Sequence, residues 1–283
     1  MSLATLQSEI EAAFSAPPGT DREGVRALFA KLRDALSSGS VRAAEPDPAS
    51  PGGWKVNAWV KQGILLGFRY GDVVDASADH GRWPFFDKDT LPLKPLDAGA
   101  GVRIVPGGSS VRDGAYLGQR VICMPPMYIN IGAYVDDETL VDSHALVGSC
   151  AQIGRRVHLS AAAQIGGVLE PVGALPVVIE DDVLVGGNCG VYEGAVVKRR
   201  SVLAAGTVIT ASTPVYDLPN GRVIRAEPGA PLVIPEGAVI VPGARQVTTG
   251  RGPEWGLSLA TPVIVKYRDE GTDARTALEE GLR

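Results

Sequence analysis

From Val111 to Pro214 an aliphatic residue, once a cysteine, returns at every sixth position, a period that suits neither a 3.6-residue helix nor a hairpin ladder. The first register runs Val111, Leu117, Cys123, Ile129, Val135, Val141, Val147, Ile153, Leu159, Ile165, with a small or modest residue four places after each, as at Ala115, Ala133, Ala145, Ala151 and Ala163. After Pro171–Val178 the phase slips by two and resumes at Ile179, Val185, Val191, Val197, Leu203 and Ile209. This spacing predicts a hexapeptide solenoid. Each hexad supplies a short strand and a bend, three hexads close a triangular coil, and residues eighteen apart stack as inward ladders. Burying each leading side chain is worth roughly 1.5–3 kcal/mol, so such a core stands without disulfides. Glycine directly after the aliphatic, at Gly148, Gly154, Gly166 and Gly186, is expected to leave room where a corner turns tightly. Pro171–Val178 is expected to form an external loop, because its prolines cannot continue a strand ladder.

Composition agrees with a narrow aliphatic core: 35 glycines and only 6% aromatic residues among 283. The chain shows no apolar run near the length that spans a bilayer, and Met1–Glu9 lacks a basic segment followed by an apolar one. A cytoplasmic protein is expected. A net charge of −5 argues against bulk attraction to nucleic acid or an anionic membrane, so a polyanionic ligand would need a local basic patch. Cys123 and Cys189 fall on the ladders and Cys150 beside one, without CxxC spacing, which reads as reduced packing residues.

The flanks differ from the repeat. Residues 3–15 and Arg22–Ser37 carry apolar side chains at helical spacing, and the prolines and glycines of Pro46–Gly53 then enforce a loop. Trp54–Tyr70 is strongly apolar and reads as a helix running into a strand, followed by an irregular connection through Trp83–Leu96. Past Val215 a turn at Tyr216–Gly221 leaves the coil, Ile234–Val239 and Ile240–Ala244 restore the six-residue form, Val263–Tyr267 reads as a strand and Thr272–Leu282 as a terminal helix. The expected fold is mainly β, with an α-rich cap over 1–105, a parallel β-helix over 106–245 and a strand-and-helix extension over 246–283 that covers an open end.

Several words inside the repeat go beyond the period. They are Tyr128-Ile129-Asn130-Ile131-Gly132-Ala133-Tyr134-Val135-Asp136, Val141-Asp142, Val147-Gly148-Ser149-Cys150-Ala151-Gln152-Ile153-Gly154, Val157-His158-Leu159-Ser160 and Ile165-Gly166-Gly167-Val168-Leu169-Glu170-Pro171. Together with Trp59-Val60-Lys61 and Ile64-Leu65-Leu66, they resemble the tetrahydrodipicolinate N-succinyltransferase family, over about Val41 to Tyr267. The resemblance implies a left-handed β-helix, transfer of a succinyl group from succinyl-CoA to the amine of ring-opened 2-amino-6-oxopimelate in lysine and diaminopimelate synthesis, and a homotrimer with sites between neighbouring solenoids.

That reaction needs an amine freed of its proton, an oxyanion stabilised and a dicarboxylate held. By the resemblance, Asp142 binds and aligns or deprotonates the substrate ammonium and Arg103 pairs a carboxylate; as plain residues they would be a corner and a solvated charge. One departure bears on the chemistry. Gly190 stands where the family commonly has a glutamate of the site, which leaves Glu193, or a water, as the candidate for proton transfer. His144 replaces a family tryptophan, and His158 is expected to make a structural hydrogen bond. For the coenzyme, Gly166 and Gly167 permit close backbone approach, Ala205 lies in the small strip Ala204-Ala205-Gly206, and Lys266 matches a family lysine near the phosphate end. Lys198-Arg199-Arg200 is a second basic patch. A zinc centre needs three converging imidazoles, whereas His144 and His158 are out of the eighteen-residue register and His80 precedes the coil, so no metal is expected. Acetyl-CoA as donor, or a non-catalytic or metal-binding scaffold, are the alternatives.

Overall fold

The computed structural model describes residues 2–77, 79, 82–269 and 271. His80 and the helix expected over Thr272–Leu282 lie outside the described residues. Two-residue strands follow one another at the predicted spacing and pair in parallel with strands one coil away, as Tyr134↔Gln152, Leu140↔His158 and Leu146↔Gln164. Three faces result. Face I stacks Tyr116–Leu117, Tyr134–Val135, Gln152–Ile153, Val178–Ile179, Val196–Val197 and Val233–Ile234. Face II stacks Arg103–Ile104, Ile122–Cys123, Leu140–Val141, His158–Leu159, Leu184–Val185 and Val202–Leu203, and face III Ser110–Val111, Tyr128–Ile129, Leu146–Val147, Gln164–Ile165, Gly190–Val191 and Val208–Ile209. The chain travels I to II to III, and the second residue of each pair points inward, where the ladder from Val111 to Ile264 forms one continuous buried cluster. Thr139, Ser201 and Thr207 also lie buried, with hydroxyls donating to the carbonyls of Gly154, Pro235 and Ala204.

The turn geometry differs from the expectation in an informative way. The third residue after most inward aliphatics adopts the left-handed conformation, as at Arg120, Glu138, His144, Cys150, Arg156, Ala162, Asp182, Asn188 and Arg200 with φ from 53° to 68°. The glycine directly after the aliphatic does something else: it lets adjacent coils touch. A Cβ on Gly148 would stand 2.2 Å from the Gly167 amide nitrogen, and one on Gly186 2.6 Å from that of Ala205. These glycines therefore answer to stacking, not to the bend.

The phase slip is an insertion at a III-to-I corner. Ile153 pairs with Ile179 at a separation of 26 residues instead of 18, and Val177, Val178 and Ile179 are already buried, so the loop ends before Val178. Past Ile209 the same corner opens again, into a hairpin of Val215–Asp217 and Arg222–Ile224, before Val197 finds Ile234. The restored hexads stack as expected, Ile240 on Leu203, and a long strand Ser258–Tyr267 pairs with Ala238–Gln246 and places Ile264 in the core.

The N-terminal region packs on one side of this prism. Helices α1 (Leu3–Ser15) and α2 (Arg22–Ser37) start at Ser2 and Asp21, whose side chains accept from Thr5 and Gly24 amides. Trp54–Tyr70 runs opposite to expectation: Trp54–Val56 is a strand paired with Ala44–Pro46, and α3 (Ala58–Tyr70) follows. Gly63 and Gly67 of α3 face Leu32 and Phe29 of α2 at separations that leave no room for a Cβ. The helices seat on the III-to-I corners through Ile131 and Cys150, which belong to the same buried cluster as Leu32 and Ile64. Lys61, fully buried, donates to the Ala174 carbonyl of the insertion at 2.5 Å. Over face I, Arg42 lies 3.7 Å from the Tyr134 ring centroid and donates to Gln152, while Trp54 and Lys198 both donate to Glu180.

Two outcomes test this architecture. Gly148→Ala places a methyl group on backbone and is expected to lower the urea midpoint severely, whereas Gly173→Ala, with nothing within 4 Å, should be neutral or gain up to about 1 kcal/mol. Equal midpoints for the two variants would refute the close-stacking account. A second test uses Asp89, which accepts from Arg26 at 2.5 Å and from the Asp72 amide, interactions that hold its carboxyl down to about 2. Its contribution is complete above the ordinary carboxylate pKa near 4 and is lost as pH falls through about 2, so wild-type stability should fall more steeply than that of Asp89→Asn across that interval. Parallel curves would remove Asp89 as a source of acid sensitivity.

Candidate active site

Because residues on either side of an inward aliphatic point outward, each face carries two outward columns. On face II these are Arg103, Ile122, Leu140, His158, Leu184 and Val202 before the ladder, and Met124, Asp142, Ser160, Gly186 and Ala204 after it. Face I has Arg42, Trp54 and the Pro46–Gly53 turn of the same chain across it; on face II, Arg103 and Ile104 at the start are exposed, Ile122 beside them is buried, and Leu140, Asp142, His158 and Leu184 are half-buried.

Asp142 occupies a II-to-III corner. Its Oδ1 accepts from the Ser143 amide at 2.7 Å, and its Oδ2 lies 3.9 Å from Nε2 of His158, which projects from the next strand of face II. His144, two residues on, is the left-handed corner residue; its amide donates to Pro126, and its carbonyl accepts from Gln164 on face III. A cleft of about 380 Å³ beside it is lined by Ser110, Met127, Tyr128, His144, Leu146 and Gln164.

The other expected residues divide by edge. Ala205 lies on a II-to-III corner three coils beyond Asp142, and Arg103 two strands before Leu140 on face II. Gly166, Gly167 and Glu193 lie on III-to-I corners instead. Gly167 packs against the Gly148–Ser149 backbone, its Cβ position 2.5 Å from the Ser149 nitrogen. Glu193 is exposed, and its Oε2 accepts from the Ala211 amide at 3.0 Å. It lines a crevice of about 450 Å³ with Trp54, Gly173, Leu175 and Pro231. Lys266 sits on the last strand, paired with Val239 and bound to Asp269 at 2.9 Å. Lys198 is engaged with Glu180 and Arg199 with Glu236, so two members of the basic triplet are already neutralised by carboxylates of this chain.

Asp142 and His158 are thus brought together, and Asp142 and Glu193 are placed on opposite edges of face III. Among the described residues, no group of three His, Cys, Asp or Glu side chains is arranged to hold a metal ion. Burial pushes the Cys123 and Cys150 thiols up to about 12, so neither offers a thiolate near neutral pH. Sequence reasoning passed over Tyr192. It stands two residues after Gly190 on the same strand line, so both point outward from face III, and its ring covers that glycine: a Cβ on Gly190 would lie 2.4 Å from the ring. Glycine and an aromatic two apart on a strand was the available signal.

Comparison with known proteins places the chain. A family model described as the N-terminal region of tetrahydrodipicolinate N-succinyltransferase matches residues 5–70, and one described as the hexapeptide repeat of succinyl-transferase matches residues 176–211. A 2,3,4,5-tetrahydropyridine-2,6-dicarboxylate N-succinyltransferase of Bradyrhizobium diazoefficiens is 42% identical over the whole of both chains. One of the same name from Xylella fastidiosa is 40% identical over 99% of this chain and 98% of its own length. Among solved structures, a putative 2,3,4,5-tetrahydropyridine-2-carboxylate N-succinyltransferase of Campylobacter jejuni aligns with a TM-score of 0.53 and 17% identity, over 88% of this chain and 63% of that one, a likeness of fold alone. Identity at the level of the first two, sustained from end to end, means that the chain belongs to the 2,3,4,5-tetrahydropyridine-2,6-dicarboxylate N-succinyltransferase family, on a left-handed parallel β-helix.

Proposed function

We propose that this chain transfers the succinyl group of succinyl-CoA to the amine of the ring-opened dicarboxylate acceptor, and that it does so as a homotrimer in the cytoplasm. The observation that carries the reading is the full-length match to relatives bearing that name, joined to a half-exposed Asp142 carboxylate at a II-to-III corner. In this reading Asp142 aligns the acceptor ammonium and takes its proton, and Arg103 pairs one of its carboxylates. The coenzyme lies in a seam where Gly166 and Gly167 of one copy face the small Ala204-Ala205-Gly206 strip of the next, and Lys266 meets its phosphates. Glu193 relays the proton onward. No resident metal takes part; the donor is a co-substrate.

Asp142 and Glu193 sit on opposite edges of face III and two coils apart, with the width of that face between them. For both to act on one acceptor, the seam between two copies must join the II-to-III edge of one to the III-to-I edge of the next. Such a seam is head-to-tail and closes into a ring, and three copies is the closure proposed here.

Release of coenzyme thiol tests the donor: succinyl-CoA with acceptor should react, and acetyl-CoA with acceptor should react far more slowly, as should succinyl-CoA alone. Faster turnover with acetyl-CoA would replace the donor, and thiol release from neither would reject the enzyme. A second experiment addresses the seam. Asp142→Asn and Glu193→Gln should each lose most turnover, and co-refolding equal amounts should restore roughly a quarter of the seams, those pairing an intact Asp142 with an intact Glu193. No recovery on mixing would show that both groups serve within one chain, and undiminished turnover of Glu193→Gln would remove that residue from the reaction.

A further inference from the structure

Two outward positions on face III carry no side chain. Gly166 and Gly190 belong to strands in register, Gln164 beside Gly190 and Ile165 beside Val191, and the Tyr192 ring lies across both. A Cβ on Gly166 would stand 2.8 Å from Cδ1 of that ring, while a Cβ on Gly190 would stand 2.4 Å from Cε2 and 2.9 Å from both Cζ and the hydroxyl oxygen. The near side of the ring therefore rests over Gly166, and the hydroxyl end over Gly190. Because Gly190 precedes Val191 in the strand, that end lies over the middle of face III and not at the III-to-I corner. Nothing larger than glycine fits at 190 while the phenol lies there, so the two residues form one device. Among the described residues the Tyr192 hydroxyl makes no hydrogen bond within the chain.

A phenol has only two side-chain torsions, and backbone packing under its face fixes both, which makes it a preorganised donor. We infer that Tyr192 is a further catalytic residue: its hydroxyl donates a hydrogen bond to the thioester carbonyl oxygen of the acyl donor. The inference rests on the succinyl-transfer reading above, in which the donor runs past Gly166. The neutral amine nitrogen attacks the thioester carbon, a C–N bond forms, and the carbonyl electron pair moves onto oxygen, where the Tyr192 hydrogen bond strengthens. Collapse restores the carbonyl and breaks the C–S bond. The coenzyme leaves as the thiol, carrying the proton that the nitrogen gives up through the relay, and Tyr192 keeps its own proton throughout.

Tyr192→Phe keeps the ring and removes only the donor. Steady-state kinetics on the full-length protein with succinyl-CoA and acceptor should show kcat lowered about 100-fold, with KM for succinyl-CoA changed by less than about threefold. Gly190→Ala, which displaces the ring while leaving the hydroxyl in place chemically, should lose turnover to a similar degree, and the double variant should lose no more than Tyr192→Phe alone. Turnover of Tyr192→Phe within twofold of wild type overturns the inference. So does a raised KM with unchanged kcat, which would make the contact ordinary ground-state binding, and so do losses that multiply in the double variant. Wild-type protein without turnover would fail the succinyl-transfer reading and this inference together, whereas active wild type with an undisturbed Tyr192→Phe fails the inference alone.

Discussion

Everything in this molecule depends on one stacking rule: a residue sits over the residue eighteen before it, and the chain makes three bends to get there. Most bends take a left-handed residue, and most of these are not glycine but residues such as Arg120, Glu138, His144, Arg156, Asp182, Asn188 and Arg200. An L-residue in that conformation is uncommon, with Asn, Asp and His enriched among the exceptions. The inward ladder makes it tolerable, because every coil buries three aliphatics and closes its backbone hydrogen bonds onto the coils above and below. The polar corner side chains then bridge neighbouring coils. Arg156 and Asp182 meet with two hydrogen bonds at 2.7 and 2.9 Å, and Arg120 bonds Glu138 one coil on. Both pairs are well exposed, so they add little beyond what the ladder supplies.

Much of this was legible in the sequence because the inward period is strict, and what was not legible has definite causes. Counting by sixes reveals an insertion only by its remainder, so the eight extra residues before Ile179 read as a slip of two. The same ambiguity hides which face a later residue occupies. Asp142 could be placed on a corner from its word alone, but whether Glu193 shared its edge depended on the length of that insertion. At the N terminus, α1 and α2 follow from helical spacing, whereas Trp54–Val56 is a strand only because Ala44–Pro46 pairs with it, a contact no local pattern encodes. The glycine after each aliphatic was legible as important, yet its purpose was not, since close approach between coils and a tight bend leave the same letter in the sequence.

The join between helices and solenoid has a more costly design. Lys61 is buried against Cys150, with the Ala174 carbonyl as acceptor, and burial lowers its pKa. Removing a charge from water is expensive unless its hydrogen bonds are replaced, so the lysine is better understood as a determinant of geometry than of stability. It ties α3 to the insertion at one point. Loss of Nζ would leave the Ala174 carbonyl unpaired and the insertion free to settle elsewhere on the corner. Leu169 and Leu175, which pack against two separate buried clusters on either side of that tie, give the insertion its two apolar feet.

That tie has a consequence for the reactive face. The insertion begins at Gly166 and Gly167, so the segment anchored by Lys61 is continuous with the glycines proposed to pass the coenzyme, and Tyr192 rests on the first of them. A shift of the insertion would move the floor beneath the phenol, whereas a change at the II-to-III edge would leave it untouched. Asp142 takes its position from the stacked corners of faces II and III alone, through the Ser143 amide and the strand that carries His158. The acceptor and donor halves of the proposed site are consequently supported by different parts of the fold. The acceptor half depends on the strict repeat, and the donor half on the first place where the repeat is broken, where the N-terminal helices hold the break in shape.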